Sequence, residues 1–410
     1  MQATTRWLCT AALAGLTGIS TLSQTQAAPI VLKFWDNQQT ESGLSDHQKA
    51  AVQRFEGENP GIKVAVTTIP YPEFQQRLLT AVQGGNAPDV STIDQIWTAA
   101  FAEAHAIVDL GPYAKKGNVN SADYFPGAWA SANYRNTLWG MPFNVDTWFF
   151  GYYNRALLKS LGIDPAQLST WDGLRAAVAK LTGQGRYGIG LFAHKGEDTA
   201  VVMNSFVYSN GGEVLDASGK CALNRPPAVA ALTYMQSLAP YAPKGILSAS
   251  SGSQRELFLN GSLAVEMWPA LEQPTLEKTS LDWDYFAGSA PANRQPVGTY
   301  GGWNMVIYQQ SQHKDAAWRL IQFMTRADVN GLVVDLVPAN VHAAKPFLDK
   351  NRRRPDLIMG HLSRARARPL SPRYLEIADA EIAMTQDLFA GMPAQQAAKK
   401  ACERIDALGR

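Results

Sequence analysis

Residues 55–97, FEGENPGIKVAVTTIPYPEFQQRLLTAVQGGNAPDVSTIDQIW, pack turn, strand and helix signals so closely that they constrain the fold more than any other part of the chain. Asn59-Pro60-Gly61 carries turn chemistry, and Ile62 to Ile69 is β-branched with alternating small residues, which predicts a strand. Phe74, Leu78, Leu79 and Val82 recur at helical spacing, and Gly84-Gly85 fits a helix stop. Asp89-Val90 opens a second short strand whose carboxyl end carries Asp94, Gln95 and Trp97. In open α/β sheets, ligands sit at that end of the strands. Polar groups beside an indole suit a ligand that is hydroxylated and flat-faced.

The flanking sequence extends the pattern. Val31 to Trp35 reads as a first strand and Ser45 to Glu56 as a helix, with a loop-rich stretch from Gly111 to Ala132. Trp148 to Tyr153 is a strongly apolar strand, and Asn154 to Leu161 begins a helix. Thr170 is placed to cap a helix running to Leu181. A chain of 410 residues can bury a sizeable core and is expected to form two lobes.

A helix ending in Phe55, then NPGIKV, a further helix, GNAPDV and an acidic residue before an aromatic resemble the pattern of the extracellular solute-binding proteins that serve ATP-driven sugar importers. The resemblance runs through most of the chain. Leu138 to Asp146 resembles that family's first crossover between lobes, with spacing one residue longer than usual. Thr170-Trp171-Asp172, Gly211-Gly212 with Asp216 to Leu223, and Phe258 to Trp268 match its second-lobe elements. The resemblance implies an α/β, two-lobed periplasmic-binding-protein fold, hinged by crossover segments around a ligand cleft. It places residues 29–141 and 289–339 in the first lobe, and 142–288 and 340–410 in the second. Pro291 to Trp303 returns to the first lobe, Ala316 to Thr325 is a helix there, and a helix around Ala394 to Leu408 closes the second.

The N-terminus reads as a processing segment. Arg6 precedes an apolar run from Trp7 to Ile19, and Thr25-Gln26-Ala27-Ala28 offers small residues for cleavage, so residues 1–28 are expected to be a secretory signal. Cys9 lies within that run, in a poor context for lipid attachment. Export leaves Cys221 and Cys402, which an oxidising compartment permits either to bond or to remain separate thiols.

Candidate ligand residues fall at strand ends and crossovers. The first lobe offers Gln39, Glu41, Asp94, Gln95 and Trp97, then Tyr300, Gly302 and Trp303. Asn144 and Asp146 stand near the crossover, Trp268 on the second lobe and Arg368 in the late return. Tyr300-Gly301-Gly302-Trp303 resembles the GGW segment of disaccharide binders, where glycines admit a ligand to the backbone and aromatics stack on it. Each has a competing structural reading: a tight turn for the glycines, a helix cap for Asp94, a core indole for either Trp97 or Trp303. Arg364, Arg366 and Arg373 compete with Arg368 for its role.

Other functions find little support. Lys+Arg 37 against Asp+Glu 35 gives +2, which implies neither nucleic acid nor an acidic membrane surface. The run Lys350 to Arg354 reads as a solvated face, or as a contact for an acidic surface such as the transporter. GxSxG, GxxxxGK, GxGxxG and HExxH are all absent, and the six histidines lack metal-ligand spacing. The expectation is a periplasmic, monomeric binding protein without a cofactor, not an enzyme, which hands a carbohydrate to a membrane permease. sn-Glycerol-3-phosphate or a glycerophosphodiester is the alternative ligand, and a secreted carbohydrate-active enzyme the alternative class.

Overall fold

The computed structural model describes Met1 and residues 28–37, 45–334 and 336–409. The signal segment, Cys9, Gln39 and Glu41 therefore lie outside the described residues, apart from Met1 and Ala28.

The chain begins as its pattern predicts. β1 (Ile30–Asp36), α1 (Ser45–Glu58), β2 (Ile62–Thr68), α2 (Tyr71–Gln83) and β3 (Val90–Asp94) form two strand-helix units and a third strand. Gly84 caps α2, and Gly85 takes φ 72°, the left-handed geometry that ends a helix at least cost in glycine. After short helices at 98–103, 111–116 and 126–131, β4 (Met141–Thr147) enters the same sheet and is buried along its whole length.

The chain then crosses to the second sheet: β5 (Phe150–Asn154), α3 (Trp171–Leu181), β6 (Tyr187–Ile189), α4 (Glu197–Ser209), α5 (Pro226–Ser237), α6 (Ser251–Leu259), β7 (Leu263–Trp268) and β8 (Trp283–Phe286). Thr170 caps α3 by accepting from the Gly173 amide, as expected. β9 (Tyr300–Ile307) returns to the first sheet, with α7 (Lys314–Met324), α8 (Ala327–Val333) and β10 (Val337–Pro338). α9 (Val341–Asn351) and α10 (Pro355–Leu362) follow, then α11 (Tyr374–Phe389) and α12 (Ala394–Asp406).

The first sheet has the order β10-β4-β9-β3-β1-β2, and the second β8-β5-β7-β6. β1 is parallel to β2 and β3, whereas β9 is antiparallel to both β3 and β4. The carboxyl ends of β1 and β3 thus meet the amino end of β9.

Two placements differ from the sequence reading. β4 lies in the first sheet through Thr147, so the crossover falls later than residue 142. α9 and α10 pack on α8, β10 and β4, although residues from 340 onward were expected in the second lobe. The reason is local: Asn340 caps α9 directly after two-residue β10, turning the helix back over its own sheet, where Ala344 and Leu348 are buried. The chain leaves for the second lobe only after Ala365.

The three connections between lobes are bonded to one another. The Trp148 amide donates to the Thr299 carbonyl at 3.1 Å, Arg366 to Gly298 at 2.9 Å, and Tyr300 to Arg366 at 2.8 Å. Cys221 and Cys402 form a disulfide that ties α12 to the turn following α4.

Candidate ligand cleft between the lobes

Strand alternation and register bring the sequence candidates to one edge. Trp303 stands opposite Asp94, and Asn144 opposite Trp303, so β3, β9 and β4 deliver an acid, an indole and an amide side by side. At that edge Trp97, Trp303 and Tyr71 form an aromatic cluster. The Tyr71 ring lies parallel to Trp97 at 6.0 Å, and Trp303 meets both edge-on, at 5.8 and 5.9 Å. Phe74 supports the two indoles from α2. Tyr71, which opens α2, is 38% exposed and forms the accessible rim of this cluster.

Asp94 does two jobs. Its Oδ1 accepts from the Ile96 amide at 3.2 Å, capping a short 3-10 turn, and from Arg368 Nη2 at 3.1 Å. Tyr71 O–H donates to Oδ2 at 3.5 Å. Arg368 sits on the third connection, only 6% exposed, and its Nη1 donates to Glu197 Oε1 at 2.9 Å. Glu197 opens α4 in the second lobe and also accepts from Tyr374 O–H on α11. Burial pushes the Asp94 carboxyl up, and Arg368 pulls it back. Burial works against the Arg368 charge as well, but Asp94, Tyr374 and Glu197 outweigh it and hold the guanidinium above its usual value. One arginine therefore joins an acid from each lobe.

Gly302 takes φ 137° at a bulge in β9, and a Cβ there would lie 2.3 Å from the Asn144 carbonyl oxygen. The close approach that the glycine permits is thus to β4 of its own sheet. Gln95 is buried and donates to the Tyr300 carbonyl at 2.6 Å, while the Tyr300 hydroxyl donates to Leu362. Both hold the hinge together, and the enclosed Tyr300 ring has no face for stacking. Asn144 is buried beside them.

Asp146 accepts from the Thr147 amide at 2.8 Å, and its Oδ2 is buried without a hydrogen-bond partner. Burial pushes this carboxyl up to about 7. Trp268 is 0% exposed: Phe258 and Tyr152 pack at 5.3 and 5.8 Å, and the Arg255 guanidinium lies 5.9 Å from its ring. A stacking role needs an open face, which Trp268 lacks, whereas its Nε1 is left without an acceptor.

The sequence reading missed Tyr71, Glu197 and Tyr374. Tyr71 was signalled, since it follows a parallel strand at the ligand-facing end. Glu197 and Tyr374 begin helices far apart in sequence, and only packing joins them.

The basic run 350–354 is engaged within the chain. The Arg353 and Arg354 guanidiniums lie over Trp283 and Tyr285 at 4.3 and 5.2 Å and pair with Glu277 and Asp284.

Two lobes hinged by three bonded connections, with polar and aromatic groups converging from both sides, define a binding-protein fold. The chain belongs to the bacterial extracellular solute-binding protein family, whose model matches residues 39–331. A curated relative of Sinorhizobium fredii, named "probable amino-acid ABC transporter periplasmic-binding protein", is 28% identical over 333 residues, covering 78% of this chain and 76% of the relative. The sugar-binding protein of Xanthomonas citri has the same fold, with TM-score 0.79 and 25% identity over 92% of this chain and 97% of that one. A solute-binding protein of Thermotoga lettingae bound with α-D-tagatose aligns with TM-score 0.76 and 25% identity over 92% of this chain and 99% of that one.

Proposed function

We propose that this protein captures a carbohydrate between its lobes and delivers it to an ATP-driven importer. The observation that carries the reading is the convergence at the seam. Asp94 and Glu197, tied together by Arg368, bring from both lobes carboxylate oxygens whose remaining lone pairs accept from hydroxyls, and Tyr71, Trp97 and Trp303 supply aromatic surface beside them. Planar polar groups suit sugar hydroxyls, and aromatic faces suit a sugar's C–H surface. The two structural relatives above are a sugar-binding protein and a tagatose complex, which favours the same class.

A ligand touching both lobes gains its full contacts only when they are closed, so it shifts the population toward that form. The closed shape is what the membrane permease receives. Residues 1–28 direct export to the periplasm, where the monomeric protein works without a cofactor and without turning its ligand over.

A phosphorylated ligand is disfavoured. It would need free cations, and both terminal nitrogens of Arg368 are already held by carboxylates. The test is thermal shift of the mature protein against mono- and disaccharides, polyols and glycerol phosphates. A selective shift with a sugar supports the reading, and a shift with phosphorylated ligands alone overturns it. Recovery of cleaved sugar would instead mark an enzyme.

A further inference from the structure

Only Trp148 and Phe149 separate β4 from β5, so the first connection between the lobes is as short as a chain can make it. Phe149 takes φ 88°. Among the described residues, the other non-glycine side chains at positive φ, Asn136 and Arg354 among them, lie between 49° and 60°, at the ordinary left-handed basin. Phe149 lies beyond that basin and carries a bulky ring, so its backbone is strained.

Contacts from both lobes hold it there. The carbonyl just before the torsion, that of Trp148, accepts from His361 Nε2 at 3.2 Å, and His361 belongs to α10, which packs on β4 of the first sheet. Gly298 closes over the same carbonyl, where a Cβ would lie 2.3 Å from the Trp148 oxygen. The ring just after the torsion is fully buried in the second-lobe core, edge-on to Phe206 of α4 at 4.7 Å. Gly288 fixes the next carbonyl, since a Cβ there would lie 2.4 Å from the Phe149 oxygen. The φ of Phe149 is therefore the rotation between a carbonyl anchored by the first lobe and a ring anchored in the second.

The lobes are together in this arrangement. Arg368 bonds an acid from each, and Tyr374 and Ala378 of α11 share one apolar cluster with Trp97 and Trp303. Rotating the lobes apart turns the His361-anchored carbonyl relative to the Phe149 ring, and hinges absorb such rotations in a few torsions. The relaxed conformations of a phenylalanine lie at negative φ.

We propose that Phe149 is a strained hinge: its backbone, held at positive φ while the lobes are together, opposes closure, so the empty protein opens and ligand contacts offset the strain. Phe149 then tunes affinity without touching the ligand, because a protein only fractionally in its closed form binds more weakly by that fraction. Such a hinge rests on the two-lobe capture reading above but not on the ligand's chemistry.

The test is double electron–electron resonance on the mature, ligand-free protein, with nitroxides at Leu79→Cys on α2 and Leu375→Cys on α11, exposed positions on opposite lobes. Cys221 and Cys402 are bonded to each other and take no label. The wild-type hinge is expected to populate a longer separation than that of the closed arrangement. The closed separation alone would overturn the proposal, since nothing would then oppose closure. Phe149→Gly and Phe149→Ala both delete the ring, but only glycine adopts positive φ freely. The closed-to-open ratio is expected to be higher in Phe149→Gly than in Phe149→Ala by about fivefold or more. Equal ratios, or a higher one in Phe149→Ala, would overturn the proposal. The wild-type separations test it even where neither variant folds. Any of these failures leaves carbohydrate capture standing, which the thermal-shift panel tests on its own.

Discussion

Arg368 Nη2 lies 3.1 Å from Asp94 Oδ1, which fastens the third hinge connection to the ligand-facing end of β3. Removing the guanidinium leaves Asp94 buried without its cation. Arg368→Ala should therefore cost about 3–5 kcal/mol of folding stability, read from urea denaturation. A loss under 1 kcal/mol would mean that the ion pair is incidental. Arg368→Lys, which keeps the charge but not the fork, should fall between.

Trp303 and Trp268 should separate binding from folding. Trp303→Ala opens the aromatic cluster at the cleft edge and is expected to cost about 2 kcal/mol or more in carbohydrate affinity. Trp268→Ala empties a fully enclosed site and should cost about 3–5 kcal/mol of stability. Titration calorimetry and thermal melting on both variants check the split, and unchanged affinity in Trp303→Ala would move the cleft elsewhere.

Adjacent glycines give a matched pair. Gly302→Ala forces a side chain into left-handed backbone and against the Asn144 carbonyl, so it should destabilise the protein by about 1–3 kcal/mol. Gly301→Ala meets nothing within 4 Å and should leave the melting temperature nearly unchanged. Equal effects from the two would contradict the bulge geometry.

Asp146 gives a pH signature. Its folded carboxyl is pushed up to about 7, above the ordinary carboxylate value that it regains on unfolding. Between those values the folded state binds the extra proton, so stability is greatest at the acid end and falls as pH rises toward 7. The loss amounts to about 4 kcal/mol at most. Asp146→Asn should flatten the decline in melting temperature between pH 4.5 and 7.5. Glu266 and Glu381, also raised by burial, leave a residual slope of the same sign.

Cys221 and Cys402 are 181 residues apart, so their bond closes a long loop in the unfolded chain. Its loss should cost about 2–5 kcal/mol. Dithiothreitol, or Cys221→Ser with Cys402→Ser, should lower the melting temperature, and an identical melt in reductant would argue against a structural bond.

What the sequence determined on its own is chiefly local. The strand-helix order from Ile30 to Asp94, the glycine stop after α2 and the Thr170 cap rest on turn chemistry and periodicity, which neighbouring residues settle among themselves. Asp94, Trp97 and Trp303 could be picked out because strand ends in such sheets face ligands. Tertiary structure alone decided the rest. Whether Cys221 meets Cys402 depended on α12 docking near the second-lobe turn. Whether Arg368 rather than Arg364 or Arg366 enters the seam depended on where the third connection bonds to Gly298 and Tyr300. Trp268 and Trp303 are alike as residues, yet Phe258, Tyr152 and Arg255 enclose one, while the other joins a cluster whose rim is open. Burial depends on which segments arrive from far along the chain, and no local pattern encodes that arrival.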